Sequence, residues 1–310
     1  MKAQPVKVQP VKVQPKRRTK PEIDVLRADS LAAISWLVHG FSTRTGGFSK
    51  PYGGSALNFG FTPHDSRAAV QRNRQALASA LSAESHTTRS RAPWPTVTLR
   101  QIHSDLIHCV SGIPEKPMVG DGLVTNRTGI LLAVLTADCL PVILVDTKRQ
   151  AIGVFHAGWR GTVNRIVEKG VGEMRRYFGS RPGDLKAAIG PGIRGCCYQV
   201  GREVIDAFES QFGYARSLFH ETKETDEIHE KYPLLFLTAR PPGHSQLPVK
   251  TFLDLAEANR RQLLDAGVPK KNISEIALCT ACRTDMLFSH RAEHGVTGRM
   301  MAMVGLRRLR

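Results

Sequence analysis

The sequence predicts an α/β protein of the α+β kind, a single domain in which mixed β-sheets pack together with helices outside. Segments typical of strands outnumber segments with helical periodicity, and frequent turns indicate hairpins rather than doubly wound layers. Hydrophobic residues make up 41% of the 310 residues, enough for a sizeable core. No internal repeat at a spacing of about 20–50 residues interrupts this pattern.

The chain begins with a segment unlike the rest, and we predict a disordered arm at 1–22 followed by a folded domain at 23–310. The arm duplicates Gln-Pro-Val-Lys-Val at 4–8 and 9–13, and residues 1–20 carry seven cations and no acid. Regular proline with alternating valine and lysine favours an extended, solvated chain. A basic arm can also contact nucleic acid, but this one has no aromatic side chain to stack on bases, which argues against that role.

Periodicity and turn residues assign the elements of the folded domain in order. We predict helices at 66–81, 162–177, 201–211 and 253–266. We predict strands at 31–39, 97–102, 106–110, 130–136, 142–146, 151–156, 185–189, 276–278 and 300–304. The remaining polar stretches are predicted as loops, at 43–47, 82–95, 220–231 and 241–244.

Charge and cysteine usage narrow the class of protein. The formal charge is +17, and removing the seven cations of the arm leaves about +10, which suits an anionic substrate such as phosphate. Six cysteines in a chain of this length do not indicate a disulfide framework. No signal peptide is recognisable, and the longest apolar run, 130–145, contains Asp138 and Pro141, which argues against a membrane helix. We therefore expect a cytoplasmic protein with reduced thiols and no membrane partner.

Three short motifs at strand ends carry the candidate chemistry. His103 lies in Arg-Gln-Ile-His-Ser, Cys139 in Thr-Ala-Asp-Cys-Leu-Pro, and His156 in Phe-His-Ala-Gly-Trp-Arg-Gly. Taken singly, each has an ordinary structural interpretation, such as a hydrogen-bonded histidine or an inert buried thiol. Together, two imidazoles and a thiolate suit one zinc or copper ion, and three protein ligands leave a fourth position for water.

The same motifs, in this order, resemble the YfiH family, first described as multicopper polyphenol oxidoreductases with a laccase domain and later as purine nucleoside phosphorylases. Further matches extend the resemblance over about 35–305, and they include 42–47, 57–58, 121–125, 190–193, 196–200, 253–255 and 289–291. One departure is Gly192, where the family often has cysteine.

The resemblance implies a mixed α/β fold and a metal ion held by His103, Cys139 and His156. It also implies phosphorolysis of adenosine, inosine, guanosine and methylthioadenosine, and hydrolytic deamination of adenosine. The expected partners are therefore a purine nucleoside and phosphate.

Other residues are candidates for binding and catalysis. Arg44 and Arg160 lie beside glycines and could hold phosphate by bidentate hydrogen bonds. Asn58, in the family's N-terminal block, is a further substrate-binding candidate. Asp138 could orient a ligand, act as an acid or base alongside Cys139, His103 and His156, or only make a structural hydrogen bond.

Two alternative functions use the same residues. A copper-dependent polyphenol oxidase is the first, but multicopper chemistry commonly uses His-x-His pairs, and the eleven histidines form none. A metal-free cysteine hydrolase, with Cys139 as nucleophile and His156 as base, is the second, and it leaves His103 without a role. Cys279 and Cys282 form half of a zinc-binding pattern, for which Cys196 and Cys197 would have to supply the other half; we predict structural thiols instead.

Overall fold

The computed structural model describes residues 23–83, 92–223 and 249–308. The predicted arm at 1–22, the predicted turn at 241–244 and most of the predicted loops at 82–95 and 220–231 lie outside these residues.

The described chain alternates short strands with a few longer helices. The helices are α1 (Asp29–Ala32), α2 (Arg67–Ala83), α3 (Trp159–Val163), α4 (Ile166–Phe178), α5 (Arg202–Gln211) and α6 (Leu255–Asp265). The strands before α3 are β1 (Val25–Leu26), β2 (Leu37–Ser42), β3 (Thr45–Ser49), β4 (Thr96–Val97), β5 (Leu99–Arg100), β6 (Ile107–Cys109), β7 (Met118–Val119), β8 (Gly122–Thr125), β9 (Leu131–Thr136), β10 (Leu140–Asp146) and β11 (Ala151–Ala157). The later strands are β12 (Leu185–Ile189), β13 (Gln199–Val200), β14 (Phe219–Lys223), β15 (Val249–Leu253), β16 (Ile273–Glu275) and β17 (Met300–Leu306).

Two mixed sheets form the centre of the fold. The first has the strand order β1-β2-β17-β9-β4 and the second the order β16-β12-β10-β11-β8-β6. Most neighbours are antiparallel, but β4 with β9, β12 with β16 and β6 with β8 are parallel. Their facing side chains make one shared core, to which β9 contributes Leu132 and Val134, and β10 contributes Ile143 and Val145. The predicted packing of mixed sheets is confirmed.

Helices cover the outer faces of this sandwich, as the fold class predicted. Helix α2 buries Leu77 and Leu81 against the first sheet. Helices α4 and α6 bury Val167 and Leu263 against the second sheet. Strand β10 is therefore apolar on both faces, because alternate residues point into the sandwich and toward the helices.

Several element predictions are wrong in detail. The predicted strand at 31–39 is helix α1 followed by β2, because a turn closed by the Leu37 N–H and the Ile34 carbonyl separates them. The predicted loop at 43–47 contains most of β3. The predicted helix at 162–177 is two helices, broken where Arg165 takes a left-handed φ of 62°. The predicted strand at 276–278 lies earlier in the chain, where β16 pairs with β12.

In the part of the chain that the structure describes, no helix combines the length and the apolarity that crossing a bilayer requires.

Candidate metal centre

The side chains of His103, Cys139 and His156 converge at one edge of the second sheet. Antiparallel pairing of Leu140 with Ala157 places the start of β10 beside the end of β11, so that Cys139 and His156 become neighbours. His103 arrives from the loop after β5. The three candidate ligand atoms all lie within 4.8 Å of one another, and the two imidazole centroids are 4.8 Å apart. The convergence that the motifs predicted is present.

A buried carboxylate, Asp121, organises two of these three residues. Its Oδ1 lies 2.8 Å from Nδ1 of His156, so Nε2 is the nitrogen of that ring left to face Cys139 and a metal ion. The same carboxylate accepts hydrogen bonds from the backbone N–H groups of Ile102, His103 and Ser104 at 3.2, 3.1 and 2.6 Å. These bonds hold His103 in a left-handed conformation with φ of 59°. A carboxylate behind a histidine ligand fixes the ring and its tautomer.

Close packing by Gly158 completes the cluster. A Cβ atom at this position would lie 2.9 Å from Sγ of Cys139 and 3.1 Å from Cδ2 of His103. Real side chains do not approach that closely, so only glycine lets the start of α3 rest against both ligands.

Contacts within the cluster shift the pKa values of its ionisable side chains away from their ordinary values. Burial would raise the pKa of Cys139, but the charge of His156 and a hydrogen bond from His103 outweigh it, and the pKa falls to about 6. Burial would lower the pKa of His156, but the Cys139 charge and the Asp121 hydrogen bond raise it to about 9. Burial would also raise the pKa of Asp121, yet hydrogen bonds from His156 and Ser104 bring it to about 2. The surroundings therefore favour an ionised sulfur and an ionised carboxylate around His156.

The donor set fits a single metal ion. Two imidazole nitrogens and one thiolate are the borderline-soft ligands that zinc and copper prefer, and the three candidate ligand atoms lie within 4.8 Å of one another. Asp121 supplies the supporting hydrogen bond that metal-bound histidines usually make. Three ligands on one side leave the opposite side open to a cavity.

That cavity has a volume of about 510 Å³. Apolar and aromatic side chains from Leu99, Leu135, Ile193 and Tyr198 form part of its wall, while Arg291 and Arg299 bring positive charge. Burial, followed by the charge of Cys139, raises the pKa of Tyr198, so its hydroxyl stays protonated. The remaining lining residues are Gln101, His103, Ala137, Asp138, Cys139, His156 and His290.

Asp138 lines this cavity, but its carboxylate is engaged by the protein. It accepts hydrogen bonds from the hydroxyls of Thr280 and Ser289 at 2.6 and 2.8 Å, and from the backbone N–H of Arg291 at 2.7 Å. Its φ of 85° places it in a sharp turn next to Cys139. These contacts favour a positioning role over that of an acid or base.

The structure separates Arg44 and Asn58 from this cavity. The Arg44 guanidinium donates to the carbonyls of Thr284 and Tyr52 and pairs with Glu293 at 3.0 Å, on the wall of a different cavity. Asn58 is fully buried, and its Oδ1 accepts the N–H of Arg299 at 2.9 Å. Neither side chain is placed to bind substrate beside His103, Cys139 and His156, although Asn58 helps to position Arg299.

Arg160 is not among the residues that line the cavity, although it is near enough for its charge to act on Tyr198, which is. Its side chain stacks over the Trp159 ring, and a guanidinium nitrogen lies 3.5 Å from Glu203 at the surface. The basic residues at the cavity are instead Arg291 and Arg299, neither of which was predicted from the sequence to bind substrate.

Comparison with known proteins agrees with this architecture. Residues 38–307 match the family model described as multi-copper polyphenol oxidoreductase laccase. A relative named purine nucleoside phosphorylase YlmD, from Bacillus subtilis (strain 168), is 32% identical over 281 residues, covering 87% of this chain and 89% of its own. A protein from an unknown prokaryotic organism, named adenosine deaminase RL5, is 37% identical over 171 residues, covering 55% of this chain and 56% of its own.

A solved structure shares the fold. The crystal structure of the hypothetical protein YfiH of Bacillus licheniformis superimposes with a TM-score of 0.71 at 32% identity, covering 89% of this chain and 98% of that one.

Proposed function

The chain belongs to the family described as multi-copper polyphenol oxidoreductase laccase, and because relatives are named as nucleoside enzymes we propose that it is a metal-dependent purine nucleoside phosphorylase. The proposed substrates are phosphate and adenosine, inosine, guanosine or methylthioadenosine. Hydrolytic deamination of adenosine is the proposed second activity, supported by the relative named for it. One observation carries the proposal: the ligand atoms of His103, Cys139 and His156 converge on a cavity that is both apolar and basic.

The metal site is proposed for one ion, zinc in preference to copper. His103, Cys139 and His156 would hold it, and Asp121 would keep the His156 ring in the tautomer that binds metal. When bound, such an ion supplies Lewis acidity at the position that its three protein ligands leave open.

The cavity residues would bind and orient the two substrates. Phosphorolysis joins a phosphate oxygen to C1′ of the ribose while the bond from C1′ to the purine breaks, which gives the free base and ribose 1-phosphate, or 5-methylthioribose 1-phosphate from methylthioadenosine. Arg291 and Arg299 would hold the phosphate, since guanidinium groups bind phosphate oxygens in pairs. Tyr198 and the apolar wall would hold the purine ring. Asp138 would position Arg291 through the hydrogen bond that its carboxylate accepts from the backbone N–H of that residue.

Two alternatives remain as outcomes of the test. The family description suggests copper-dependent polyphenol oxidation as one alternative. Among the described residues, however, only one cluster combines histidine with cysteine, so that cluster would hold one copper ion and not several. A metal-free hydrolase could use the Cys139 thiolate and His156, which are suitably polarised. That alternative uses His103 only for the hydrogen bond that helps to ionise Cys139.

The test measures products and metal together. The full chain is purified under reducing conditions, its metal content is determined, and each nucleoside is incubated with and without phosphate while free base, ribose 1-phosphate and inosine are quantified. We expect free base and ribose 1-phosphate only when phosphate is present, and inosine from adenosine without it. His103→Ala should lose one ion per chain and turnover on the order of 10³-fold, because several kcal/mol of Lewis-acid stabilisation are removed.

The matched control is His64→Ala, which removes an exposed histidine outside the cavity. It should leave metal content and turnover unchanged. If metal-replete protein turns over none of the four nucleosides, the phosphorylase proposal is wrong. Full activity after removal of the metal would favour the cysteine hydrolase.

A further inference from the structure

A second cluster of soft ligands lies outside the candidate metal centre. Cys196 and Cys197 come from the loop between β12 and β13, and Cys279 and Cys282 come from the segment after β16. The four sulfur atoms all lie within 4.8 Å of one another. The structure therefore supplies the second pair whose absence made Cys279 and Cys282 look like structural thiols.

The spacing of the sulfurs suits a tetrahedral ion. Sγ of Cys282 lies 3.6 Å from that of Cys196 and 3.3 Å from that of Cys197. Metal–sulfur bonds of about 2.3 Å in a tetrahedron separate the sulfurs by roughly 3.8 Å. A disulfide requires about 2.05 Å between sulfurs, well below the distances observed here. Four thiols at these distances match a metal site better than two disulfides.

The cluster joins two segments that form part of the cavity wall. Gly192 pairs with Cys279, and the Thr280 N–H donates to the Gly192 carbonyl at 3.1 Å. Between Cys279 and Cys282, the Thr280 hydroxyl donates to Asp138. On the other segment, Tyr198 follows Cys197 directly and lines the cavity. Fastening these segments together would hold Asp138 and Tyr198 in place.

We propose that Cys196, Cys197, Cys279 and Cys282 form a second metal site, closed and structural, for a thiophilic divalent ion such as Zn²⁺. Four sulfurs fill a tetrahedral shell and leave no position for water or substrate, so this ion does no chemistry. Its role is to fasten 190–198 to 276–283 behind the cavity. The proposal is independent of the phosphorylase proposal, because it uses none of the three candidate ligands at the cavity.

The experiment counts zinc ions in the full chain, purified with reductant and analysed by elemental mass spectrometry. We expect about two zinc ions per wild-type chain, one of them held by four thiolates. Cys282→Ser should lose one ion and keep the other, while Cys139→Ser should lose the ion at the cavity. The double variant Cys139→Ser/Cys282→Ser should lose both. Cys109→Ser is the matched control, since Cys109 is a free thiol of β6 outside both clusters, and it should lose neither.

Two outcomes would overturn the proposal and leave the cavity site unaffected. One is a zinc content that falls in Cys139→Ser but is unchanged in Cys282→Ser. The other is wild-type protein in which mass mapping finds these four cysteines joined as disulfides.

A second measurement guards against misfolding of the Cys282 variant. The Cys139→Ser chain, which keeps all four cluster cysteines, is loaded with Co²⁺ and its absorption is recorded. We expect an intense sulfur-to-cobalt charge-transfer band whose intensity corresponds to about one tetrahedral Co²⁺ ion per chain. A cobalt-loaded Cys139→Ser chain without that band would overturn the proposal whatever the Cys282 variant does.

Discussion

His156 and His39 are both buried histidines, with 4% and 3% of their surfaces exposed, yet their surroundings move their pKa values in opposite directions. The pKa of His156 is raised to about 9, whereas that of His39 is lowered to about 4. Burial disfavours the charged ring in both places. At His156, the Cys139 charge and the Asp121 hydrogen bond outweigh burial. At His39, the positive charge of Arg27 adds to it.

The partners of the two rings distinguish a histidine of a candidate metal site from a histidine that only packs in the core. His39 lies in β2 on the first sheet, and its Nε2 accepts the N–H of Ala28, a hydrogen bond that requires this nitrogen to be unprotonated. His156 is held by a carboxylate on one nitrogen and faces a thiol and a second imidazole. Buried histidines with an anion behind them are the ones to examine for metal or catalysis.

Among changes that leave all three candidate ligands in place, Asp121→Asn should have the largest effect, because it removes one of the two anions that make His156 differ from His39. The amide also presents an N–H₂ group toward backbone donors near His103, so the ligand loop loses a partner. We expect metal affinity to fall by about 100-fold, and turnover with it. Competition of the protein with a chromophoric chelator measures the affinity.

The control for Asp121 is Asp105→Asn, two residues from His103. Asp105 is partly exposed and pairs with Lys169. The substitution therefore removes one carboxylate from the same loop without changing a contact of the cluster. Its metal affinity should equal that of the wild type. Equal losses in both variants would mean that Asp121 acts only through net charge.

The candidate ligands were predictable from the sequence, but their support was not. His103, Cys139 and His156 each stand in a distinctive motif at the end of an apolar strand. Asp121 precedes Gly122 in a segment that equally suits an ordinary turn before a strand. Only the folded loop shows that its carboxylate faces three backbone N–H groups and a ring nitrogen.

Gly158→Ala should have an intermediate effect, because it crowds the cluster without removing any polar group. Its new methyl group would lie 2.9 Å from Sγ of Cys139 and 3.1 Å from the His103 ring, so one ligand must shift. Overpacking of this kind costs about 1–3 kcal/mol, and we expect metal affinity and turnover to fall roughly tenfold. Gly172→Ala on α4 is the control, since a methyl there meets open space and helices favour alanine. If Gly158→Ala binds metal as the wild type does, the close packing has no part in ligand placement.

Fold predictions failed where tertiary contacts decide between equal local options. The amphipathic helices α2, α5 and α6 agree with their predicted ranges to within two residues, because one face of each is apolar. The run Leu-Ala-Ala-Ile-Ser-Trp-Leu-Val at 31–38 is equally compatible with a helix and with a strand. In the folded chain its first part is helical, with Leu31 buried in the core, and only its end belongs to a strand. The residue with left-handed φ that divides α3 from α4 is Arg165 and not its neighbour Asn164, although asparagine adopts that conformation more readily.

His39→Gln should have the smallest effect, and it tests the other side of the comparison. The folded pKa of about 4 lies below the ordinary 6.5, so the unfolded chain binds a proton first as the pH falls. This contribution to stability is complete above about pH 6.5 and is lost between there and about pH 4. Between pH 7.5 and 6.0 the wild type should therefore lose about 1 kcal/mol that His39→Gln does not lose. Urea unfolding of both proteins at the two pH values, with His64→Gln as an exposed control, gives the difference. Identical pH dependence in all three would mean that His39 has the same pKa in the folded and unfolded chains, so that burial does not lower it.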